Sequence, residues 1–277
     1  MYRILIGILS IMWAANTHAD VTLADGTVLR DSPTWVITYI EVANDSADAA
    51  AALIKEHAAA SKAEAGSLRF EALQRINRNN HFVIMEAWAG RNSRAAHAAS
   101  THTVSFREKL QPMLYAPYDE RPHVALLASS PQYMPDGNES TIYVITHADI
   151  IPPEQFAPCD RRPDPNGPCG NDLITDMAKL SRNHDGNLRY DVLTQSNRPN
   201  HMTVVEMWED AGAQAAHQSQ PDKKAFRDEL AGIRANSGVN PDPQFVLNML
   251  TGSLWDERLF RLISIEDGPA RVEHVVR

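Results

Sequence analysis

The chain has 277 residues, of which 43% are hydrophobic and 22% are charged. These values are ordinary for globular proteins, so they exclude wholesale disorder and predict one or two folded domains. The formal net charge is −9, and no run of Lys or Arg interrupts the acidic balance. Nucleic acid is therefore not an expected partner, because a phosphate backbone repels an acidic chain.

The first segment, residues 1–19, has the pattern of a secretory signal peptide. Arg3 is its only charged residue, and the apolar run that follows, residues 4–15, is shorter than the ~20 residues of a membrane span. We expect cleavage after Ala19, and an uncleaved N-terminal anchor is the alternative. The sequence therefore predicts a periplasmic or secreted protein with no membrane span after cleavage.

The two cysteines, Cys159 and Cys169, lie in one segment that is rich in Pro, Gly and Asp. In an oxidising compartment, two cysteines in a turn-rich loop most simply form one disulfide. A redox or metal pair is the alternative, but C-x9-C is not a redox spacing and the loop offers too few further ligands. We therefore predict a disulfide between Cys159 and Cys169.

An internal repeat is the strongest signal in the sequence. Residues 66–110 match residues 186–230 without a gap at an offset of 120, and 16 of the 45 positions are identical. Upstream the offset is 108, and the difference of 12 equals the length of segment 159–170, so the cysteine loop is an insertion in the second copy. We predict one domain at 34–129 and a second at 140–266.

Each copy contains the same series of predicted elements. In the first copy, β-branched and aromatic residues predict a strand over 34–42, followed by a helix that Asp45 or Ser46 caps and Gly66 ends. Two strands, a helix with a break near Ser100 and a last strand follow, with predicted ranges 67–75, 81–88, 93–112 and 121–128. In the second copy Pro221 occupies the position of the break, and Pro favours the first turn of a new helix.

This order, β-α-β-β-α-β, predicts an α+β fold class with two ferredoxin-like units. The two helices cover one face of each four-stranded sheet, and the other face is left open and apolar. Two linked copies can cover each other, so we predict that the units pack sheet to sheet as an intramolecular α/β barrel. A monomer that contains a pseudo-dimer is the expected assembly.

Acidic and aromatic side chains recur at the end of the third predicted strand. By the period of two, Glu86 and Trp88 lie on the same strand face. They recur in the second copy as Glu206 and Trp208. A half-buried carboxylate needs a partner, so Glu86 either forms an ion pair, with Arg69 or Arg107, or acts as a base with a raised pKa. The Trp is either a core aromatic that closes the sheet end or part of a pocket.

Histidines on the helices are the other candidate site residues. His97 recurs as His217, and a neutral imidazole in a pocket could accept a proton near pH 7, although bridging helix and sheet is an equal alternative. His102 occurs in one copy only. His57 faces the core and is replaced by Met177 in the second copy, which favours packing, but it is also a candidate pocket residue. His97 and His102 lie about 140° apart around one helix, so we expect no metal site.

The run E-x-W-x8-H-x4-H-x3-F resembles the antibiotic-biosynthesis-monooxygenase (ABM) domain family. Its residues here are Glu86, Trp88, His97, His102 and Phe106. The second copy departs from the run at Asp222, which replaces the second His. The resemblance implies a dimeric α/β barrel and, in many family members, oxidation of phenolic or quinol substrates without a cofactor.

This resemblance assigns roles to the candidate residues. His97 and His217 would act as bases, Trp88 and Trp208 would stack on the substrate ring, and Glu86 and Glu206 would orient the site. His57 and His102 would be further substrate contacts. We expect a monooxygenase for a small aromatic or quinol-like molecule, with no cofactor, since the chain lacks a Gly-rich phosphate loop and a G-x-S-x-G elbow.

Two other functions remain open. One branch of the family binds or degrades haem, using an Asn on the first strand, but residues 35–42 and 143–150 contain no Asn. The same pocket could also hold an apolar ligand without catalysis, because a fold does not determine a function.

Overall fold

The computed structural model describes residues 21–22, 28–29, 32–135, 137–149, 170–230 and 256–264. Residues 1–19 and both cysteines lie outside these ranges, so the signal peptide and the disulfide stay predictions. A short hairpin of β1 (Val21–Thr22) and β2 (Val28–Leu29) precedes the main fold. No helix within the described ranges is both long and apolar enough to cross a membrane.

The two copies form the same series of elements. The first copy contains β3 (Thr34–Glu41), α1 (Ala47–Lys62), β4 (Ser67–Arg75), β5 (His81–Trp88), α2 (Arg91–Ala99), α3 (Thr101–Leu110) and β6 (Asp119–Leu127). The second contains β7 (Ile142–Asp149), α4 (Gly170–Ser181), β8 (Asn187–Gln195), β9 (Arg198–Trp208), α5 (Ala211–Gln218), α6 (Pro221–Leu230) and β10 (Asp256–Leu262). The α+β fold class and the β-α-β-β-α-β order are confirmed.

Helix ends follow local chemistry, with one difference from expectation. Ser100 has an extended backbone (ψ 147°) and its side chain accepts a hydrogen bond from Thr103 N, so α2 ends and α3 begins there. The expected side-chain cap of α1 was wrong, because a 3₁₀ turn (Asn44–Ser46) leads into the helix and Ser46 makes no capping hydrogen bond. Gly66 has a φ of +83°, and a Cβ there would collide with Ser93.

Eight antiparallel strands close into one barrel in the order β10-β4-β5-β3-β6-β8-β9-β7. Within each copy the second, third, first and fourth strands lie side by side. The fourth strand of each copy then pairs with the second strand of the other, as β6 with β8 and β10 with β4. The predicted intramolecular barrel is confirmed, and it is closed by backbone hydrogen bonds as well as by packed faces, so no strand of the barrel remains an unpaired edge.

Three apolar layers follow from this closure. The barrel interior is built by both copies, with Trp35, Ile37, Leu73, Val83, Tyr143, Ile145, Leu193 and Phe260 among its buried members. The other two layers each lie between a sheet and the helices of the same copy, and they include Trp88 and Phe106 in the first copy and Trp208 and Phe226 in the second. Each copy therefore has its own helix-covered layer.

Two crossed ion pairs join the copies inside the barrel. Arg189 donates to both carboxylate oxygens of Glu71 at 3.2 and 2.9 Å, and Arg69 donates to Asp191 at 3.4 Å. Tyr143 adds a hydroxyl donor to Glu71 at 3.0 Å. Although burial alone would raise it, the pKa of Glu71 is held below its usual value by the guanidinium groups of Arg189 and Arg69.

The segment that connects β6 to β7, which we call the connector, is anchored to these ion pairs. The backbone N–H and the hydroxyl of Ser129 donate to Asp191 at 2.7 and 2.9 Å. Arg69 donates to the carbonyl oxygens of Ser130 and Tyr133, each at 2.8 Å. The connector therefore serves as a source of hydrogen bonds for buried charges as well as a spacer.

Candidate functional site

The helix-covered layer of each copy holds the residues that the sequence singled out. Glu86 and Trp88 lie at the end of β5 and are 3% and 0% exposed. The indole N–H of Trp88 donates to Glu86 Oε2 at 2.7 Å. Trp208 donates to Glu206 Oε2 at 2.8 Å in the same way. The Trp therefore fixes the orientation of the carboxylate in both copies.

Each Trp also stacks on the candidate base. The rings of Trp88 and His97 lie with centroids 4.4 Å apart at an interplanar angle of 28°. The corresponding values for Trp208 and His217 are 4.5 Å and 28°. His97 Nε2 lies 3.7 Å from Glu86 Oε2, and the equivalent distance in the second copy is 3.8 Å. The structure therefore brings Glu, Trp and His together twice.

The cation that faces the buried carboxylate differs from the expected one. Arg94 Nε lies 3.4 Å from Glu86 Oε2. The expectation of Arg69 or Arg107 was wrong, because Arg69 points into the barrel and Arg107 pairs with Glu120. In the second copy Lys223 Nζ lies 3.6 Å from Glu206 Oε1. Each buried carboxylate has a cation, but the cation comes from α2 in one copy and α6 in the other.

Burial sets the protonation of these groups. It raises the pKa of Glu86 to about 7, with Arg94 opposing the shift, and it also raises the pKa of Glu206. Burial lowers the pKa of His97, and Glu64 opposes this change. Burial, with Lys223 and His184 acting in the same direction, lowers the pKa of His217 to about 3. Both imidazoles are therefore neutral near pH 7.

Glu64, which the sequence analysis did not single out, connects His97 to the surface. Its Oε1 lies 2.7 Å from His97 Nδ1 and 2.5 Å from His102 Nε2. The side chains of His97, Glu64 and His102 are 2%, 20% and 31% exposed. The three groups form a hydrogen-bonded chain, which we call the first relay, from a buried imidazole to two partly exposed side chains.

The second copy builds the same chain from exchanged residue types. His184 replaces Glu64 and Asp222 replaces His102. His217 Nδ1 lies 2.8 Å from His184 Nδ1, and His184 Nε2 lies 2.8 Å from Asp222 Oδ2. This second relay also ends at a partly exposed group, since the Asp222 side chain is 32% exposed. The joint change of the two positions between the copies was the sequence signal that could have identified Glu64.

Both relays fix the same tautomer of the buried histidine. An ionised carboxylate only accepts hydrogen bonds, so His97 Nδ1 carries the proton that Glu64 accepts. In the second relay Asp222 accepts from His184 Nε2, which leaves His184 Nδ1 to accept from His217. The Nε2 atoms of His97 and His217 therefore carry lone pairs, and they face the buried carboxylates.

Sequence comparison places both copies in one family. The antibiotic biosynthesis monooxygenase family matches residues 33–109 and 171–229. Both copies are ABM domains. No curated protein matches the sequence.

Solved structures share the fold of the whole tandem chain. A presumed monooxygenase from Fusobacterium nucleatum is 15% identical, with a TM-score of 0.64, and the match covers 89% of this chain and 100% of that one. A second from Lactobacillus acidophilus is 12% identical, with a TM-score of 0.59 and coverage of 84% and 95%. An anthrone oxidase-like protein is 11% identical, with a TM-score of 0.53 and coverage of 87% and 98%. The two-domain arrangement therefore recurs in other proteins.

The first relay also has the atom types of a metal site. The ligand atoms of Glu64, His97 and His102 all lie within 4.8 Å of one another. The expectation that the two histidines diverge was wrong, because they lie on different helices on either side of Ser100. Their N–O distances of 2.5 and 2.7 Å are those of hydrogen bonds, whereas two ligands of a tetrahedral Zn²⁺ at ~2.1 Å lie about 3.4 Å apart. We interpret the cluster as a relay, and the absence of a metal stays a prediction.

His57 packs beside the first relay. It is 5% exposed and stacks on Phe106 with ring centroids 4.0 Å apart. Its ring lies 5.5 Å from His97 and 5.4 Å from His102. Burial lowers its pKa to about 3, with His97 and His102 acting in the same direction. His57 is therefore a neutral, buried side chain in the helix-covered layer of the first ABM domain, and Met177 occupies the equivalent position in the second.

Proposed function

We propose that the protein is a monooxygenase that oxidises a small aromatic, phenolic or quinol substrate with O₂, and that the first ABM domain carries the reaction. The family of both domains supports oxygenase chemistry. The observation that carries the proposal is the first relay, which connects a buried imidazole lone pair, beside Trp88 and Glu86, to the protein surface.

The reaction requires one base and no external reductant. His97 Nε2 takes a proton from a ring C–H or O–H of the substrate, and the resulting anion gives its electrons to O₂. For a ring methylene the balance is R₂CH₂ + O₂ → R₂C=O + H₂O. One oxygen atom enters the product, the other leaves in water with the two hydrogens, and the substrate supplies all four electrons.

The relay gives the proton a path away from the site. Protonation of His97 creates an imidazolium that the Glu64 carboxylate stabilises at 2.7 Å. Glu64, whose side chain is 20% exposed, can then take up the proton and exchange it with solvent. In the second domain His217 Nδ1 contacts His184 in place of a carboxylate, and Lys223 and His184 both lower the pKa of His217. His217 is accordingly the weaker base.

Access to the site requires a side chain to move. Trp88 and His97 are 0% and 1% exposed, so the substrate ring cannot reach them in this conformation. His102 lies in the first turn of α3 and is the most exposed member of the relay. Its rotation away from Glu64 would open the layer beside His57, and its return would exclude water during the reaction.

The matched pair of histidines provides the test. Oxygen uptake by the mature protein is followed with a panel of quinols, phenols and anthrone-type compounds. His97→Gln is expected to lower kcat by roughly 100-fold or more, the usual contribution of a general base. His217→Gln, the same change in the second domain, is expected to change kcat by less than about twofold.

Thermal unfolding of both variants checks that the barrel remains folded. Wild-type protein that consumes no oxygen with any compound of the panel would overturn the proposed activity. Equal losses in the two variants would overturn the assignment to the first domain. Loss of activity in His217→Gln alone would transfer the role to the second domain.

A further inference from the structure

A cleft of about 1380 Å³ opens at one end of the barrel, away from both relays. It is lined by residues of both copies. Tyr39 on β3 and His147 on β7 occupy equivalent positions of the repeat, and their rings lie 4.9 Å apart in the cleft. The cleft therefore lies where the two domains meet. Ligand sites are frequent in the mouths of β-barrels.

The lining is rich in cations, although the chain carries a net charge of −9. Its four arginines are Arg75, Arg78, Arg121 and Arg258, and its three carboxylates are Glu41, Asp119 and Glu257. Two of the carboxylates have a cationic partner: Arg121 donates to Asp119 at 2.9 Å, and Lys223, which does not line the cleft, lies 3.5 Å from Glu257. His81 Nε2 lies 3.5 Å from Glu41, and burial lowers the pKa of His81. The lining thus has more guanidinium groups than carboxylates.

The repeat retains two of the lining residues. Arg78 and His81 are identical in the second copy, as Arg198 and His201, although 29 of the 45 aligned positions (45 − 16) differ. His81 has a structural partner in Glu41. The turn itself needs Asn77, whose φ is 63°, and Asn80, which donates to the carbonyl oxygen of Val42 at 3.0 Å. It does not need the Arg78 guanidinium, so turn chemistry does not explain why Arg78 was retained.

We propose that this barrel mouth binds a small anion with a flat apolar body and a carboxylate or phosphate group. Guanidinium groups recognise both kinds of anion through paired hydrogen bonds. Arg121 lies over the Tyr39 ring, with Cζ 4.8 Å from the centroid, so it is already ordered. The Tyr39 and His147 rings provide flat surface at the cleft, beside Phe260 of the barrel interior. This site is separate from the proposed oxygenase centre and does not depend on its activity.

Calorimetry on the mature protein at low salt tests the proposal with three probes: inorganic phosphate, phthalate and neutral phthalamide. Phthalate is expected to bind with a stoichiometry of one and more tightly than phosphate, and phthalamide should not bind. Arg78→Gln with Arg258→Gln should weaken phthalate binding at least tenfold. Arg91→Gln with Lys109→Gln, which removes the same charge from exposed positions on α2 and α3, should change it by less than twofold.

Each contrary result has a defined meaning. Equal weakening in the two double variants would reduce the effect to overall charge and overturn the site. If neither phosphate nor phthalate gives a saturable binding isotherm, the site is also overturned. If phosphate binds as tightly as phthalate, the proposal that the ligand has a flat apolar body is overturned. If the double variant does not fold, Arg78→Gln alone, at an exposed turn position, should still weaken phthalate binding several-fold.

Discussion

The helix-covered layers of the two domains hold the same Glu, Trp and His in the same geometry, yet their surroundings have been exchanged. The cation facing the buried carboxylate is Arg94 from α2 in one and Lys223 from α6 in the other. The equivalents of these two residues are Gln214 and Thr103, so each layer has a cation at only one of the two positions. The comparison indicates that the charge balance of the layer was retained while the residues supplying it changed.

The relays show the same pattern. The three relay positions hold two histidines and one carboxylate in both domains, but Glu64 is the middle member of the first relay and Asp222 the outer member of the second. Both arrangements leave Nε2 of the buried histidine unprotonated. The difference is in the stability of the imidazolium, because only His97 has a carboxylate hydrogen-bonded to its Nδ1. His97 and His217 therefore share a tautomer but differ in basicity.

The largest expected effect comes from removing the buried cation of the second domain. Lys223 is 0% exposed, so Lys223→Met leaves Glu206 as an uncompensated buried carboxylate. We expect the free energy of unfolding to fall by about 3–5 kcal/mol. Arg94→Met should cost only about 1–3 kcal/mol, because the Arg107 guanidinium also acts on Glu86, whereas Lys223 is the cation that acts on Glu206. Urea denaturation near pH 7 measures both, and equal losses would contradict this difference between the two carboxylates.

The second effect depends on pH. His57 has a folded pKa of about 3, below its unfolded value of 6.5, so the unfolded state binds more protons and the folded state loses stability as pH falls below 6.5. Between pH 8 and pH 4.5, the free energy of unfolding of wild type should fall by about 2–3 kcal/mol more than that of His57→Met. Met177→His, the reverse change in the second domain, should become acid-sensitive. A pH-independent difference between His57→Met and wild type would show that His57 protonates freely in the fold.

A smaller effect is expected from exchanging the relays. Glu64→His places three imidazoles together in the first domain, and His102→Asp places two carboxylates together. The double variant recreates the second relay, so its free energy of unfolding should exceed the additive value by about 1–2 kcal/mol. Its kcat should nevertheless remain low, because His97 then lacks a carboxylate partner. An additive double variant would indicate that the members of the relay do not interact.

The smallest effect separates the two hairpins. Asn77 has a φ of 63°, which Asn tolerates better than Ala, whereas Asn197 does not have a positive φ. Asn77→Ala should therefore cost about 1 kcal/mol and Asn197→Ala less than about 0.5 kcal/mol. Thermal unfolding of the two variants gives the comparison directly. A loss confined to Asn197→Ala would contradict it.

The strand pattern and the repeat were sufficient to predict the fold. The ranges of β4 and β5 agree with the predicted 67–75 and 81–88, because alternating hydrophobic residues and turn residues are local signals. The closure of the barrel through β6–β8 and β10–β4 pairing was not predictable from these signals, since edge pairing between copies leaves no mark on the periodicity of a single strand.

The site was predictable only in part, for a related reason. Glu86, Trp88 and His97 were found because they recur as identical residues. Glu64 and Arg94 were missed because the second copy supplies the corresponding charges from other positions, Asp222 and Lys223, so these residues do not recur as identities. The angle assigned to His97 and His102 was wrong because it assumed a continuous helix across Ser100.

The crossed ion pairs inside the barrel make the two halves of the chain complementary partners. Glu71 receives the Tyr143 hydroxyl in addition to Arg189, whereas the equivalent of Tyr143 is Trp35, which has no hydroxyl and instead lies beneath the Arg69 guanidinium at 5.1 Å. Two copies of the first half would therefore leave each buried Glu71 without this hydroxyl donor. The barrel core makes the two halves non-interchangeable, whereas each relay lies within one half.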